Sequence, residues 1–460
     1  MKYIENNKIY SILEGAKVDK FQIKDILEKS KSLGRLSLQE VGQLLKITDE
    51  DLVNKLFETA AYVKEKIYGK RVVLFAPMYI SNQCCNNCLY CGFRADNKAI
   101  VRKALTEEEI KEQIAWLLKR GHKRILMVAG ESAPQNKKKI DFYIDSIRAI
   151  YEAKYENNSI RRVNVNVAPL SKEEFKILKT AGIGTYQLFQ ETYHDETYKR
   201  VHLNGPKSDP DIRMQAIDDA FECGIDDVGI GVLYGLYDWK FETLALMAHI
   251  EHLENKFNVG PHTISVPRIE SADGAPYTLN PPYKLQDIEF KKLAAILRLA
   301  VPYTGLILST RETAKLRDEL FNYGISQISA ESKTSPGGYK NENGGKNAQF
   351  GVHDERSLDE IISSLIDHGC VPSFCTACYR SGRTGEAFMG LAKPGNIKGK
   401  CSMNALLTLT EYLDDFASAD VKEKGRKLIE SGFKDLSGDD KNMLNEIFCK
   451  MKNGKRDEYV

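Results

Sequence analysis

Apolar residues in the first seventy positions recur at helical spacing. One run falls three or four residues apart: Leu52, Leu56, Ala60, Val63 and Ile67. Because such positions share one face of an α-helix, the run predicts an amphipathic helix that ends at Gly69. We therefore expect residues 1–70 to form a helical lead-in.

Three pairs of residues carry the capping-box signature of a helix N-terminus: Ser37 with Glu40, Thr106 with Glu109, and Ser171 with Glu174. The first pair lies in the lead-in, and the other two predict helices farther along the chain.

The apolar period changes after residue 70. Short apolar runs alternate with longer amphipathic stretches, which is typical of repeated strand and crossover-helix units. The runs predicted to be strands are VVLFAPMYI, RILMVAG, RVNVNVA, TYQLFQ, DVGIGVLYG, TISV, LILST and SQISA, between Val72 and Ala330. Eight strands with intervening helices favour an α/β fold, a closed (β/α)8 TIM-type barrel, over an open doubly wound sheet. We place the barrel at residues 71–370 and a helical C-terminal extension at 371–460.

Size and charge narrow the class of protein. The 460 residues exceed the roughly 250 to 300 at which a single core stops growing. Lys plus Arg (66) nearly balances Asp plus Glu (64), so the net charge of +2 gives no reason to expect nucleic acid or a membrane surface as partner. No apolar run approaches the roughly 18 residues of a bilayer span, and the opening residues lack the apolar core of a signal peptide. We expect a cytoplasmic protein that acts on small molecules or proteins.

The cysteines are concentrated in two places. Six of the ten fall into two spaced clusters, of which the first, Cys84, Cys88 and Cys91, has the spacing C-x3-C-x2-C. It directly follows the first predicted strand, on the barrel face where active sites lie. Cytosolic thiols stay reduced, so tight cysteine clusters there hold metal more often than they form disulfides. Cys85, adjacent to Cys84, has to point elsewhere.

Three thiolates suit an iron–sulfur cube with one free corner. Four cysteines on a [4Fe–4S] cluster leave only electron transfer, whereas three leave one iron open to a small molecule. The alternative is a zinc knuckle, which normally takes four ligands from paired elements, and no histidine lies nearer to the cluster than His122. The spacing favours the cube.

A second group of three cysteines lies beyond the predicted barrel. Cys375, Cys378 and Cys401 form C-x2-C-x22-C. They indicate a second cluster with an open iron. The alternative is a zinc-bound tail completed by a histidine such as His353 or His368.

The first cysteine motif, with Tyr90 before its last cysteine, resembles that of the radical S-adenosylmethionine (SAM) superfamily. The resemblance implies that the open iron binds the amino and carboxylate groups of SAM and delivers the electron that releases a 5′-deoxyadenosyl radical. It also implies that SAM is contacted by Tyr90, Glu131, Asn164, Asn166, Glu191 and Arg213. The Glu131 motif reads AGE where the family more often has GGE. An arginine suits a carboxylate because its forked donors match both oxygens.

A longer set of motifs resembles the HydG family, the radical SAM tyrosine lyases that mature [FeFe]-hydrogenase. These motifs are SN-x-C-x3-C-x-YCGF, RRVNVN, GTYQLFQETYH, GIDDVGIG, GPHTISVPR, VPYTG, ILSTRE and CTACYRSGRTG. The resemblance implies cleavage of L-tyrosine at Cα–Cβ, after hydrogen abstraction from its amino nitrogen, to p-cresol and dehydroglycine. Dehydroglycine then becomes carbon monoxide and cyanide at the second cluster, on an iron that carries cysteine.

The same resemblance assigns further residues and partners. It makes His262, placed at the end of the predicted sixth strand, the ligand of an extra labile iron on the second cluster. It makes Arg311 and Ser309, after the seventh strand, the candidates for holding the tyrosine carboxylate, while Arg383 shapes the loop of the second cluster. The implied partners are an electron donor such as ferredoxin or flavodoxin and other hydrogenase maturation proteins.

Two alternatives compete with this interpretation. One is the tyrosine lyase of thiamine thiazole biosynthesis, a 2-iminoacetate synthase that cleaves the same bond but lacks the C-terminal cysteines. The other is a non-catalytic iron–sulfur carrier or zinc scaffold, which needs neither a barrel nor SAM contacts. Because dehydroglycine is an imine that water hydrolyses, the tyrosine-lyase hypothesis further predicts an enclosed route between the two clusters through the barrel.

Overall fold

A closed barrel of parallel strands forms the centre of the chain. The computed structural model describes residues 1–135, 137–340 and 347–460. Its strands are β1 (Arg71–Ser81), β2 (Arg124–Ala129), β3 (Lys154–Tyr155), β4 (Asn158–Ser159), β5 (Arg162–Asn166), β6 (Tyr186–Gln187), β7 (Val228–Gly231), β8 (Thr263–Ser265), β9 (Gly305–Leu308), β10 (Gln327–Ser329) and β11 (Val371–Ser373). The barrel order is β1-β2-β5-β6-β7-β8-β9-β10, and β10 pairs with β1 to close it.

Helices surround the barrel and extend it at both ends of the chain. The lead-in comprises α1 (Asn6–Gly15), α2 (Lys20–Lys31), α3 (Leu38–Leu45) and α4 (Glu50–Tyr68). The barrel helices are α5 (Glu107–Lys119), α6 (Lys139–Glu152), α7 (Lys172–Thr180), α8 (Asp195–Val201), α9 (Pro210–Glu222), α10 (Trp239–Phe257), α11 (Asp287–Ala300), α12 (Ala314–Leu320) and α13 (Leu358–Asp367). The helices that follow β11 are α14 (Ala377–Arg380), α15 (Gly385–Ala392), α16 (Lys398–Asp415), α17 (Ala419–Lys434) and α18 (Gly438–Lys452).

The (β/α)8 prediction is confirmed, and each of the eight predicted runs overlaps a barrel strand. The predicted capping boxes at Ser37, Thr106 and Ser171 are also present, and Gly69 ends α4 with a φ of 64°. A positive φ favours glycine because it has no Cβ to clash. Local sequence signals therefore set these helix ends.

Three features differ from the sequence-based expectations. The β3–β4 hairpin follows α6 and was not predicted. Two helices, α8 and α9, follow β6 where one crossover helix was expected, and Arg213 lies on the second of them. His262 precedes β8 rather than ending it, because the strand pairing begins at Thr263. In a parallel barrel this position moves His262 to the mouth where the strands begin.

The long strand β1 spans the full height of the barrel and defines its two mouths. Val73 lines a cavity at the mouth where the strands begin, the amino mouth, and Tyr79 lines a cavity at the mouth where they end, the carboxyl mouth. At about 3.3 Å per residue these two positions are about 20 Å apart. Any chemistry at one mouth is therefore separated from the other by the barrel interior.

The segment after α13 packs against the amino mouth. Strand β11 pairs in parallel with the start of β1, where Arg71 faces Val371. Glu411 of α16 is buried between Arg161 and Lys123, with its carboxylate 3.1 Å from the Lys123 amine. Although burial opposes its ionisation, these two charges lower the pKa of Glu411 to about 2. The ion pairs fix α16 beneath the barrel, and the proposed division at residues 70 and 370 stays a prediction.

No helix in the described part of the chain has the length and apolar character needed to cross a membrane.

Candidate active site

The first triad, Cys84, Cys88 and Cys91, lies on the loop that follows β1 at the carboxyl mouth. Cys88 is 5% exposed, and the charges of Cys84 and Cys91 both act on it. Cys85 is exposed instead, and its thiol points to the backbone oxygen of Glu131 at 3.6 Å. The structure thus brings together the three predicted ligands and turns the fourth cysteine away.

The buried first triad fits an iron–sulfur cluster. Burial raises the pKa of Cys88, and burial together with the charge of Cys84 raises the pKa of Cys91 to about 11. Thiols of this kind stay protonated at neutral pH until a metal ion displaces the proton and supplies the compensating positive charge. The triad therefore needs a cation that no neighbouring side chain fully provides.

The arrangement of the cysteines differs from that of a single-ion site. Within residues 1–135, 137–340 and 347–460, no three His, Cys, Asp or Glu side chains converge closely enough to hold one metal ion. An iron–sulfur cube makes no such demand, because each thiolate binds its own iron corner. All ten cysteines are unbridged thiols.

Tyr90 is fixed by a hydrogen bond beneath the triad. The side chain is 8% exposed, and its hydroxyl lies 2.7 Å from His202 Nε2. His202 Nδ1 lies 2.9 Å from the Tyr198 backbone oxygen, which can only accept, so Nδ1 carries the proton and Nε2 accepts from Tyr90. Burial lowers the pKa of His202 well below its ordinary value, which keeps this neutral tautomer.

Glu131 and Arg213 meet beside the first triad. Arg213 donates from Nη1 to Glu131 Oε1 at 2.5 Å, and Asn86 donates to Glu131 Oε2 at 2.7 Å. Burial opposes ionisation of Glu131, but the charges of Arg213 and Lys207 outweigh it and lower its pKa. A buried carboxylate and a buried guanidinium in contact offer one partner for an amino group and another for a carboxylate.

Lys207 completes a second ion pair at the same site and was not predicted, because no sequence motif marks it. Its amine donates to Glu191 Oε1 at 2.8 Å and lies 5.6 Å from the centre of the Tyr90 ring. The charge of Lys207 also acts on Cys88 and Glu131. A buried lysine among acidic ligands supplies a second cation beside Arg213.

Glu191 has a left-handed backbone that a buried network supports. Its φ is 71°, which is uncommon outside glycine. The next residues are held by Glu242 of α10, which accepts from the Tyr193 N–H at 2.8 Å and bonds the hydroxyl of Thr192. Burial raises the pKa of Glu242 to about 8. A neutral acid in the core thus anchors the strained turn.

Replacing Glu242 by glutamine should make stability less dependent on pH. The folded-state pKa is above the unfolded value, so the stabilisation from the protonated acid is lost as pH rises from about 4.5 to about 8, by up to about 1.4 kcal/mol per pH unit. We expect the melting temperature of Glu242→Gln to gain on the parent across this range. Thermal unfolding at fixed pH values measures the difference, with the exposed Glu58→Gln as control. A constant difference from pH 5 to 8 would contradict the assignment.

A cavity at the carboxyl mouth, the first cavity, joins the first triad to the ends of β9 and β10. Its polar lining comprises Tyr79, Tyr90, Cys91, Asn166, Glu191, Ser265, Ser309, Thr310, Arg311, Ser329, Ser332, Thr334 and Gln349. Arg311 stacks on Phe350 at 3.5 Å and donates to the backbone oxygen of Arg268 at 3.3 Å. Its Nε has no partner among the described residues, so a donor is available to a ligand.

The two asparagines of β5 lie at different depths. Asn166 lines the first cavity, as predicted for a SAM contact. Asn164 does not line this cavity. It precedes Asn166 by two residues on β5, so the two side chains share one face of the strand but lie about 7 Å apart along it. Asn164 Oδ1 instead accepts from the Thr185 N–H at 3.0 Å. The structure therefore separates Asn164 from Asn166. Glu131 and Arg213 also lie outside the lining of the first cavity, but their charges act on Cys88 and Tyr90.

The second triad, Cys375, Cys378 and Cys401, lies at the amino mouth. The three cysteines line a second cavity together with Tyr68, Arg71, Val73, Arg124, His262, Gln327, Thr376, Ala377, Tyr379 and Phe388. Burial, with the charges of the other two cysteines, raises the pKa of Cys375 to about 11. The same argument from donor chemistry applies as at the first triad, so these residues also fit an iron–sulfur cluster.

Basic groups surround the second triad, and two of them, Arg71 and Arg124, were not predicted from the sequence. The charge of Arg71 faces Cys401 and Cys375, and Arg124 donates to the Cys375 backbone oxygen. Arg383, which was expected to shape this loop, donates from its backbone N–H to the Cys378 oxygen at 2.8 Å, and its charge acts on the Cys378 thiol. His353 and His368, the candidates for a zinc site, do not line the second cavity.

His262 reaches the second cavity from the start of β8. Its ring lies 4.6 Å from Phe388 and 5.8 Å from Tyr379. Asp227 Oδ2 lies 3.4 Å from His262 Nδ1, and neither atom has a hydrogen-bond partner in the described chain. A carboxylate beside one ring nitrogen favours the tautomer that leaves the other nitrogen for a metal. His262 is thus placed with the second triad and far from the first.

Comparison with known proteins agrees with this geometry. The family model "Radical SAM superfamily" matches residues 78–248, and "Biotin and Thiamin Synthesis associated domain" matches 265–371. The solved structure "Crystal structure of HydG: A maturase of the [FeFe]-hydrogenase" is 48% identical, covers 100% of both chains and gives a TM-score of 0.96. HydG from Carboxydothermus hydrogenoformans is 43% identical over 96% of this chain and 97% of that one, with a TM-score of 0.83.

A curated relative shares the barrel at lower identity. The 2-iminoacetate synthase of Escherichia coli is 30% identical over 347 residues, which cover 75% of this chain and 89% of that protein. Radical SAM enzymes use a [4Fe–4S] cluster and SAM, which is the chemistry that the first triad fits. The chain belongs to the HydG family of the radical SAM superfamily.

Proposed function

We propose that this enzyme cleaves L-tyrosine at Cα–Cβ to p-cresol and dehydroglycine, and converts dehydroglycine to carbon monoxide and cyanide for the maturation of [FeFe]-hydrogenase. The observation that carries the proposal is the pair of cysteine triads at opposite mouths of one barrel. One triad serves radical formation, and the other serves assembly of an iron with its small ligands. A lyase that released dehydroglycine to another enzyme would not need the second triad.

The first cavity binds both SAM and tyrosine in this proposal. Charged partners for the amino and carboxylate groups of SAM are offered by Glu131, Glu191, Arg213 and Lys207. Tyr90 and Asn166 line the first cavity and would contact the rest of SAM. When bound, the cluster and SAM supply the radical that abstracts hydrogen from the amino nitrogen of tyrosine.

Arg311 and Ser309 hold the tyrosine carboxylate on the opposite side of the first cavity. Stacking on Phe350 fixes the plane of the Arg311 guanidinium, and its Nε has no hydrogen-bond partner among the described residues, so the group keeps a donor for a carboxylate. Ser309 Oγ accepts the Arg311 N–H at 3.4 Å, which leaves the hydroxyl proton free for a substrate oxygen. Burial lowers the pKa of Arg311 from its ordinary value, so a bound carboxylate restores a favourable environment for its charge.

The proposed products balance in atoms and charge. Tyrosine has the same atoms as p-cresol and dehydroglycine together. Because the abstracted hydrogen atom stays on 5′-deoxyadenosine, one electron from the donor and one proton replace it in p-cresol. The dehydroglycine anion, HN=CH–COO⁻, then contains one cyanide, one carbon monoxide and one water. No further oxidant or reductant is required for that second step, so its site needs to bind and polarise the fragment rather than exchange electrons with it.

The second cavity is the proposed site of that step. Cys375, Cys378 and Cys401 would hold the second cluster, and His262, oriented by Asp227, would bind the labile iron that also carries cysteine. Imidazole is a good ligand for iron. The positive charges of Arg71 and Arg124 favour an anionic cluster and anionic fragments in the same cavity.

The proposal extends to partners and location. A ferredoxin or flavodoxin would supply the electron, and other hydrogenase maturation proteins would receive the iron product. Because ten unbridged thiols and iron–sulfur clusters need reducing surroundings, we also propose a cytoplasmic location.

The second candidate function is 2-iminoacetate synthase, favoured by the similarity to the Escherichia coli enzyme. The experiment that separates the two is anaerobic reconstitution with iron and sulfide, followed by incubation with SAM, L-tyrosine, cysteine and dithionite. Assays for p-cresol, cyanide and carbon monoxide give the answer. All three products support the proposed function, whereas p-cresol with glyoxylate alone favours the second candidate. A sample that fails to cleave SAM would favour a carrier.

We further propose that dehydroglycine crosses the barrel interior between the cavities. A layer of polar and small residues separates them: Asn164, Gln187, Gly229, Thr263, Gly305 and Gln327. Within the described residues, the Gln187 Oε1 and Thr263 Oγ1 atoms are buried without partners, which is typical of a polar passage. A Cβ on Gly229 would lie 2.5 Å from Thr263 Oγ1, so the glycine lets the Thr263 side chain approach this strand closely.

Replacing Thr263 by leucine should block this passage. We expect p-cresol to form at close to the parent rate, while cyanide and carbon monoxide are lost because dehydroglycine escapes to water. Thr263→Ser does not narrow the passage and is the matched control. Product ratios measured by chromatography and carbon monoxide trapping test the route, and unchanged ratios in the leucine variant would argue against it.

A further inference from the structure

A strap of chain, residues 347–354, crosses the carboxyl mouth. Backbone hydrogen bonds hold it to three loops: the N–H groups of Gln349, Gly351 and His353 donate to backbone oxygens of Thr334, Ser271 and Thr310 at 2.9, 2.8 and 2.9 Å. The strap therefore connects the loops that follow β8, β9 and β10. Its position gives it access to both the first cavity and the cysteine loop.

Gln349 joins the strap to the first triad through three contacts. Its backbone oxygen accepts the Gly92 N–H at 3.0 Å, and its side-chain Nε2 donates to Cys91 Sγ at 3.7 Å. Its Oε1 accepts the Tyr79 hydroxyl at 2.8 Å, which leaves the amide oriented with its donor toward sulfur. A Cβ on Gly92 would lie 2.5 Å from the Ala348 oxygen, so the glycine lets the strap approach closely.

The next residue of the strap touches the proposed substrate site. The Phe350 ring lies under the Arg311 guanidinium at 3.5 Å, and Thr334 donates to the Phe350 oxygen at 2.9 Å. Two consecutive residues therefore contact a cluster ligand on one side and the carboxylate-binding group on the other. A shift of Arg311 on binding substrate would move the strap at Gln349.

Hydrogen bonds to the cysteine sulfurs are among the factors that set the potential of an iron–sulfur cluster. A donor stabilises the reduced state more, because that state has more negative charge on sulfur. We propose that Gln349 is a positioning residue that raises the reduction potential of the first cluster through Cys91, and that the strap carries substrate occupancy to this contact. The coupling to tyrosine rests on the proposed function, whereas the effect of Gln349 on the potential does not.

The test measures the midpoint potential of the first cluster alone. In a Cys375→Ala, Cys378→Ala, Cys401→Ala background, redox titration followed by electron paramagnetic resonance reports this cluster, with and without L-tyrosine. We expect Gln349→Leu to make the potential more negative and to remove the shift that tyrosine produces in the parent. Gln43→Leu makes the same chemical change on α3, away from the first triad, and is expected to leave both unchanged.

A second pair of variants distinguishes the effect of the Gln349 hydrogen bond from a general disruption of the strap. Tyr79→Phe keeps the donor of Gln349 but frees its Oε1, so the negative shift should be smaller than in Gln349→Leu. Phe350→Leu should keep the parent potential without tyrosine and lose the tyrosine shift. Equal potentials in the parent, Gln349→Leu and Tyr79→Phe would overturn the proposal. A shift in Gln349→Leu with no response to tyrosine in the parent would overturn the coupling through the strap but not the effect of Gln349 on the potential. Formation of p-cresol by the parent enzyme tests tyrosine as the substrate separately.

Discussion

Replacing Cys375, Cys378 and Cys401 together by alanine is expected to leave p-cresol formation intact and to abolish carbon monoxide. The first triad lies about 20 Å away along β1, and substitutions at well-separated sites act independently. Radical formation and tyrosine cleavage should therefore proceed at close to the parent rate. The second step has no site once its three thiolates are gone.

The measurement compares p-cresol and carbon monoxide per chain in reconstituted samples of matched iron content at the first triad. Cys449→Ala removes an exposed thiol from the same C-terminal extension and should behave like the parent. Loss of both products in the triple variant would mean that the two mouths are not independent. Retention of carbon monoxide would place the second step elsewhere.

The second large effect concerns two adjacent cysteines. We expect Cys84→Ala to abolish formation of 5′-deoxyadenosine, while Cys85→Ala leaves it close to the parent level. Cys84 belongs to the first triad and its charge acts on Cys88, whereas the Cys85 thiol is exposed and directed to the Glu131 backbone oxygen. Because SAM cleavage needs an iron held at three corners, losing one ligand removes the whole reaction.

Chromatographic assay of 5′-deoxyadenosine with SAM and dithionite, without tyrosine, isolates this first step. Each variant is the positional control of the other, since they are neighbours and make the same change. Equal activity of the two variants would show that Cys84 does not bind the cluster.

The barrel could be predicted because its signals are local. Short apolar runs and capping boxes such as Thr106 with Glu109 depend on residues close in the sequence, and they predicted the barrel strands and several helix ends. The closure of β10 on β1 could be inferred only from the number of strands, because it joins positions about 250 residues apart. The hairpin of β3 and β4 was missed because two-residue strands carry no periodic pattern.

The candidate site could be predicted only where its signals are local in the sequence. Cysteine spacing identified both triads, but the position of the second triad at the amino mouth depends on tertiary packing through β11 and α16. Lys207 and Gln349 carry no motif, and they reach the first triad only because distant loops fold over it. For Asn164 the motif predicted too much. The family motif includes both asparagines, but the geometry of the strand brings only Asn166 to the first cavity.

The central claim is that one barrel holds two iron–sulfur clusters, each with an open iron, at opposite mouths. Electron paramagnetic resonance of the reduced, anaerobically reconstituted enzyme tests it most directly. We predict two distinct cluster signals, of which SAM perturbs only one, and loss of the other signal in the Cys375→Ala, Cys378→Ala, Cys401→Ala variant. A single cluster signal with zinc bound at the second triad would contradict the account.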